Sequence, residues 1–152
     1  MKPTKEIDAF LEEYRFTLSD KEKGDFASKG FDVWGFGKDE EFSKRLVNLI
    51  MKGRKRATSS LYFKRNKISD VGSYGVIVDH RNGPRCLIRY TGYEILPFSK
   101  VNAAFAEEEG EASGDLEEWT SEHRRFFKGI SSHFSEASLV LCEKFKLVYK
   151  SA

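Results

Sequence analysis

Two runs rich in Val, Ile and Tyr, Tyr74 to Asp79 and Arg85 to Leu96, are separated by Arg81-Asn82-Gly83-Pro84, which is strong turn chemistry. The pair predicts an antiparallel hairpin, and a hairpin at this point constrains the rest of the chain. A strictly alternating strand–helix–strand arrangement is excluded, and no G-x-G-x-x-G or G-x-x-x-x-G-K-[ST] motif is present to support a dinucleotide or P-loop fold.

Around that hairpin the apolar spacing predicts helices. Ile7, Phe10, Leu11, Tyr14 and Leu18 form one stripe from Thr4 to Leu18, with Thr4 as the N-cap. Lys38 to Lys52 repeats the pattern with Phe42, Leu46, Leu49 and Ile50, and Gly53 is a natural stop. Between them, Gly30 to Gly37 reads as a glycine-rich aromatic loop packed on the core. Ser99 to Glu108 reads as a short helix after Pro97, and Asp115 to Phe127 as a longer one with Leu116, Trp119, His123, Phe126 and Phe127 on a broad face. Leu139 to Tyr149 alternates as a long strand, central at first and edge-like later. The fold class is therefore α+β, a small curled sheet or barrel with helices over its openings.

At 152 residues, 39% hydrophobic and 14% aromatic, the chain has enough apolar surface for one folded core. No apolar run approaches the roughly 20 residues of a membrane span, and MKPTKEIDAF lacks a signal-peptide stretch, so the expected location is cytoplasmic. Cys86 and Cys142 are expected to be buried thiols. No histidine pair has metal-ligand spacing, so neither a metal nor another cofactor is expected.

The net charge of +2 hides two opposed blocks. From Phe42 to Ser69 there is no acid, while Lys44, Arg45, Lys52, Arg54, Lys55, Arg56, Lys64, Arg65 and Lys67 are basic. From Val101 to His123 there is no Lys or Arg among eight acids: Glu107, Glu108, Glu109, Glu111, Asp115, Glu117, Glu118 and Glu122. The junction Gly53-Arg54-Lys55-Arg56-Ala57-Thr58-Ser59-Ser60 admits two readings. Its cations could simply complement a helix C-terminus, or Lys55 and Thr58 could converge on an anion or nucleobase site. The latter needs a carboxylate, and Glu107 to Glu111 can supply one. Four acids around Gly110 at a helix end face the wrong pole of the dipole, so another interaction should hold them. His123 reads as a core residue bonded to a neighbour.

Taken in order, Val33-Trp34-Gly35-Phe36-Gly37, Gly53 to Leu61, Val71-Gly72-Ser73-Tyr74, Pro97-Phe98 through Phe105-Ala106-Glu107 to Glu111, and Trp119 to Phe127 resemble the bacterial ASCH family. The likeness runs from about Phe31 to Tyr149. It implies a PUA-like small β-barrel of mostly antiparallel strands with helices around it. The chain would be one domain, 1–152, with 1–30 a helical extension and 31–150 the family core.

The resemblance further implies a nucleoside or RNA ligand in a cleft at the G-x-K-x-x-T junction, here Gly53, Lys55 and Thr58. Some small relatives hydrolyse N4-acylated cytidines with the Lys, the Thr and a Glu. Carried over, these become Lys55, Thr58 and Glu109, with Glu107 or Glu111 as register alternatives. In that scheme Lys55 activates Thr58 Oγ, and Glu109 protonates the departing amine. Gly53, Arg54, Arg56, Ser59, Phe36, Tyr74, Glu107 and Glu111 would contact the ligand, with Tyr74, Tyr90 or Phe36 stacking on the base. A non-catalytic RNA-binding module and a ribonuclease stand as alternatives.

Overall fold

The computed structural model describes residues 3–37, 39–64, 66–111 and 115–151; Lys38 and Arg65, named above, lie outside the described residues. Helix α1 (Lys5–Phe16) is capped by Thr4, whose hydroxyl accepts the Ile7 N–H, and it buries Ile7, Phe10 and Leu11. Helix α2 (Asp20–Ser28) buries none of its residues. It is held by a capping box in which Ser19 and Glu22 exchange side-chain-to-backbone bonds. Apolar periodicity therefore does not announce it.

The glycine-rich segment is a strand in part. β1 (Phe31–Trp34) pairs in parallel with β3 (Tyr74–Val78), Phe31 opposite Tyr74 and Trp34 opposite Ile77. After β1, Gly35 lies so close to Val78 that a Cβ there would stand 2.6 Å from the Val78 carbonyl oxygen. The chain continues through α3 (Glu40–Met51), capped by Asp39, β2 (Ala57–Leu61), β3 and β4 (Pro84–Pro97). The β3–β4 turn matches its sequence: Asn82 takes φ 64° and the Asp79 carboxylate accepts the Arg81 and Gly83 N–H groups.

After Pro97 the expected single helix is broken in two. A 3-10 turn, Phe98–Lys100, ends at extended Val101. Asn102 then caps α4 (Ala103–Glu109) by accepting the Phe105 N–H. Helix α5 (Leu116–Ile130) and strand β5 (Leu139–Lys150) complete the chain. On α5, Trp119 and Phe127 are buried, but Phe126 is 52% exposed.

Among the described residues the sheet has five strands in the order β1-β3-β4-β5-β2, and β1–β3 is its one parallel pairing. The expected barrel is not formed. Closure would require β1 to pair with β2, yet these are the two edges. Between them in sequence runs α3, whose Val47 and Ile50 pack against Ile77, Ile88 and Phe145 instead. The sheet is covered by helices rather than closed by hydrogen bonds. β5 pairs with β2 only as far as Lys144 and with β4 as far as Lys150, so it is central first and an edge later.

The alternation of β2 sorts the candidate residues. Ala57 and Leu61 belong to the cluster built on Phe98, Trp119 and Phe127, beneath α4 and α5. Ser59 shares their parity and turns to the same side. Thr58 turns to the opposite face, opposite Glu143 of β5.

Candidate functional site: a buried lysine among carboxylates

The C-terminus of α3 turns Lys55 inward. Gly53 adopts φ +76°, and the N–H groups of both Arg54 and Lys55 return to the Leu49 carbonyl. Arg56 is then tied on both sides, donating its N–H to the Glu108 carbonyl at 2.7 Å and accepting from Phe145 N at 3.0 Å. The Lys55 side chain is 0% exposed. Its ammonium donates to the Ala57 carbonyl at 2.7 Å and to Glu111 Oε2 at 2.7 Å, with the Glu109 carbonyl at 3.4 Å.

Across from it, α4 ends at Gly110 with φ +68°, which presents the acids on either side of the turn to Lys55. The two backbones touch here: a Cβ on Gly110 would lie 2.4 Å from the Arg54 carbonyl oxygen. Arg45 of α3 donates to the Glu111 carbonyl. Acids at a helix C-terminus are disfavoured by the dipole, and the cations of the basic block offset that cost. The opposed charge blocks thus meet through Lys55 with Glu109 and Glu111, and Lys144 of β5, outside the basic block, adds an ion pair to Glu108 at 3.4 Å.

Glu109 is held differently from Glu111. Its Oε1 accepts from Trp119 Nε1 at 2.5 Å and lies 2.9 Å from His123 Nε2. Its Oε2 accepts from Ser59 Oγ at 2.7 Å and lies 3.9 Å from Lys55 Nζ. Burial alone would push this carboxyl up. The His123 hydrogen bond, the charges of Lys55 and His123 and the Ser59 hydroxyl outweigh it and hold the group well below the usual carboxylate range. Burial would likewise push His123 down, but the hydrogen bond and charge of Glu109 raise it.

These shifts set a pH window. The Glu109 contribution to stability is present above its unfolded value of 4.5 and is lost as pH falls through the lower folded value. The His123 contribution is complete below 6.5 and is lost as pH rises through the higher folded value. The network should therefore add most stability between 4.5 and 6.5. Denaturation midpoints measured across pH check this: the wild type should lose stability on both sides relative to Glu109→Gln/His123→Gln, and parallel profiles would refute it.

Ligand atoms of Glu109, Glu111 and His123 lie within 4.8 Å of one another, but the Lys55 ammonium already stands against this group, 2.7 Å from Glu111. It supplies the positive charge that a cation would otherwise bring. Phe36 is also brought in, with its ring centroid 5.8 Å from Lys55 Nζ. Phe36 lines a cleft of about 320 Å³ with Trp34, Gly35, Gly37, Asp39, Glu40, Val78, Asp79, His80 and Asn82.

The other sequence candidates are placed as follows. Arg54, Arg56 and Glu107 are exposed, and Thr58 is on the far face of β2 from Ser59. Tyr74 is elsewhere, 3% exposed among Tyr14 and Phe26, with the Arg89 guanidinium 4.8 Å from its ring. The Tyr90 hydroxyl is engaged, accepting from Trp34 Nε1 at 2.8 Å and donating to Asp32. Trp119 and His123 were not among the sequence candidates for the site. Their i,i+4 spacing opposite an acidic segment was the available signal, and their rings stack at 4.0 Å.

An open mixed sheet, flanked by helices and carrying a buried lysine between two glutamates at a helix-to-strand junction, defines a small α+β protein with a buried charged cluster. The chain belongs to the ASCH domain family, whose model matches residues 32–149. It is similar to the crystal structure of the ASCH domain from Lactobacillus crispatus JV V101, at 29% identity over 96% of each chain with a TM-score of 0.88. It is also similar to a protein from Enterococcus faecalis V583, at 31% identity over 97% of this chain and 95% of that one, TM-score 0.78. No curated protein shows significant similarity to it. Among the described residues no helix is long and apolar enough to cross a membrane.

Proposed function

We propose that this ASCH protein takes a pyrimidine nucleoside, free or at an exposed position of a short RNA strand, and hydrolyses an acyl amide on its exocyclic nitrogen. The observation that supports this reading is the 2.7 Å bond between the fully buried Lys55 ammonium and the partly exposed Glu111 carboxylate, beside the Phe36 ring. The pair suits a two-proton reaction. Glu111 takes a proton from water as its oxygen adds to the acyl carbon and gives that proton to the amine as the C–N bond breaks, while the buried Lys55 ammonium holds Glu111 in place. Loss of that proton leaves Glu111 a carboxylate beside Lys55 again, and the products are a carboxylic acid and the amino-pyrimidine. Water is written as the nucleophile, and Thr58, which shares with Glu143 and Phe145 the sheet face on which Phe36 packs, is the alternative one. Phe36 offers a face for stacking on the base.

Turnover of N4-acetylcytidine by wild type and by Glu111→Gln tests the reading. Wild type should release acetate well above background, and the variant should be slower by about 100-fold or more. Background rates from wild type sink the hydrolase, and an unimpaired Glu111→Gln sinks the role of Glu111.

A second reading, an RNA-binding module without chemistry, draws on the exposed Lys44, Arg45, Lys52, Arg54 and Arg56 around the same junction. It predicts affinity for single-stranded RNA that falls with salt, with a log–log slope of about 0.7 per phosphate contacted. Intact RNA after incubation separates this from a ribonuclease.

A further inference from the structure

We propose that His123 is a positioning residue: its ring is held as an imidazolium, which keeps Glu109 a fixed anion and leaves Glu111 as the carboxylate of the cluster that can face a ligand. The assignment of Glu111 to a ligand rests on the reading above, whereas the charge state of His123 does not.

The geometry carries the charge state. Nδ1 of His123 lies 2.9 Å from the Trp119 carbonyl oxygen, which can only accept. Nε2 lies 2.9 Å from Glu109 Oε1, and that oxygen already takes the Trp119 indole N–H. With acceptors at both ring nitrogens, each nitrogen carries a proton. The ring also stacks on Trp119 at 4.0 Å with an interplanar angle of 13°, a favourable placement for a cation over an indole face. The charged groups acting on it are Glu109 at the end of α4 and Glu111 just beyond. Two cations, Lys55 and His123, thus balance two anions, Glu109 and Glu111, in a site that is nearly closed to solvent.

The two carboxylates differ in what they have left to offer. Glu109 is 1% exposed, and its two oxygens face the indole and imidazole on one side and the Ser59 hydroxyl and Lys55 on the other. That set fills the approach directions of a carboxylate. Glu111 is 15% exposed, and its carboxylate has one partner among the described residues, Lys55. A ligand can reach Glu111 without displacing anything from Glu109. The sequence resemblance singled out Glu109, and the packing assigns it instead to holding Lys55.

Nitrogen-15 NMR of the histidine rings in the intact wild-type protein tests the charge state without any variant. Both nitrogens of His123 should keep the protonated signature at pH 8, with the resonance assigned by its loss in His123→Gln. A deprotonated nitrogen on that ring at pH 7 overturns the proposal. Glu109→Gln removes the carboxylate and should abolish the doubly protonated signature at pH 8; its persistence there also overturns the proposal.

The positioning role is read on N4-acetylcytidine. His123→Gln should lower kcat by up to about 100-fold while KM changes less than about threefold, and it should move the pH profile. An unchanged kcat and pH profile in His123→Gln overturns the positioning role. Absent turnover in wild type instead sinks the hydrolase reading and leaves the NMR result to decide the charge state.

Discussion

Exchange of Lys55 for methionine is expected to destabilise the fold by about 3–5 kcal/mol, because it removes one member of a buried ion group and leaves its partners without compensation. The partners are Glu111 at 2.7 Å and Glu109 at 3.9 Å, and the Ala57 carbonyl loses its donor as well. Chemical denaturation monitored by tryptophan fluorescence measures the loss. The double variant Lys55→Met/Glu111→Gln should recover part of it, since the second change removes the orphaned charge. A loss under about 1 kcal/mol is the value of an exposed pair, and would mean that water reaches Lys55.

Gly110→Ala is the second large effect. Gly110 has φ +68°, where an L side chain costs about 1–2 kcal/mol. A Cβ there would also sit 2.4 Å from the Arg54 carbonyl oxygen, which is backbone and cannot rotate away. Overpacking of that kind adds about 1–3 kcal/mol, for a total of about 2–5 kcal/mol. Gly53→Ala provides the comparison. Its φ is +76° but nothing lies within 4 Å of the added carbon, so it should show the conformational cost alone. Equal losses in the two variants would show that the contact between the α4 terminus and the Lys55 segment does not hold in solution.

Much of the fold is legible in the sequence because its signals are local. The α1 stripe with its Thr4 cap, the stop at Gly53, the Asn82 turn and the two-sided then one-sided character of β5 follow from spacing and turn chemistry. What is not legible depends on distant pairing. β1 is four residues long and exists as a strand through β3, so a local reading of its flanking glycines gives a loop. Whether β1 meets β2 to close a barrel is likewise set by where α3 packs. The identity of the working carboxylate is a similar case. Glu107, Glu109 and Glu111 are equivalent in a run of acids, and only Gly110, Ser59, Trp119 and His123 distinguish them.

The strand that carries Ser59 and follows Lys55 has a single strand partner. β2 pairs only with β5, Ala57 opposite Lys144, while the hairpin of β3 and β4 closes over a turn of a few residues. A loop that long is the costlier one to close, so the hairpin can form while β2 is still unplaced. On a chain emerging from the ribosome, Lys55 and Ser59 appear early, but their strand lacks its partner until Leu139–Lys150 has been made. The strand under the charged cluster is therefore seated last, and a partly synthesised chain carries the residues of the site without the strand that backs them.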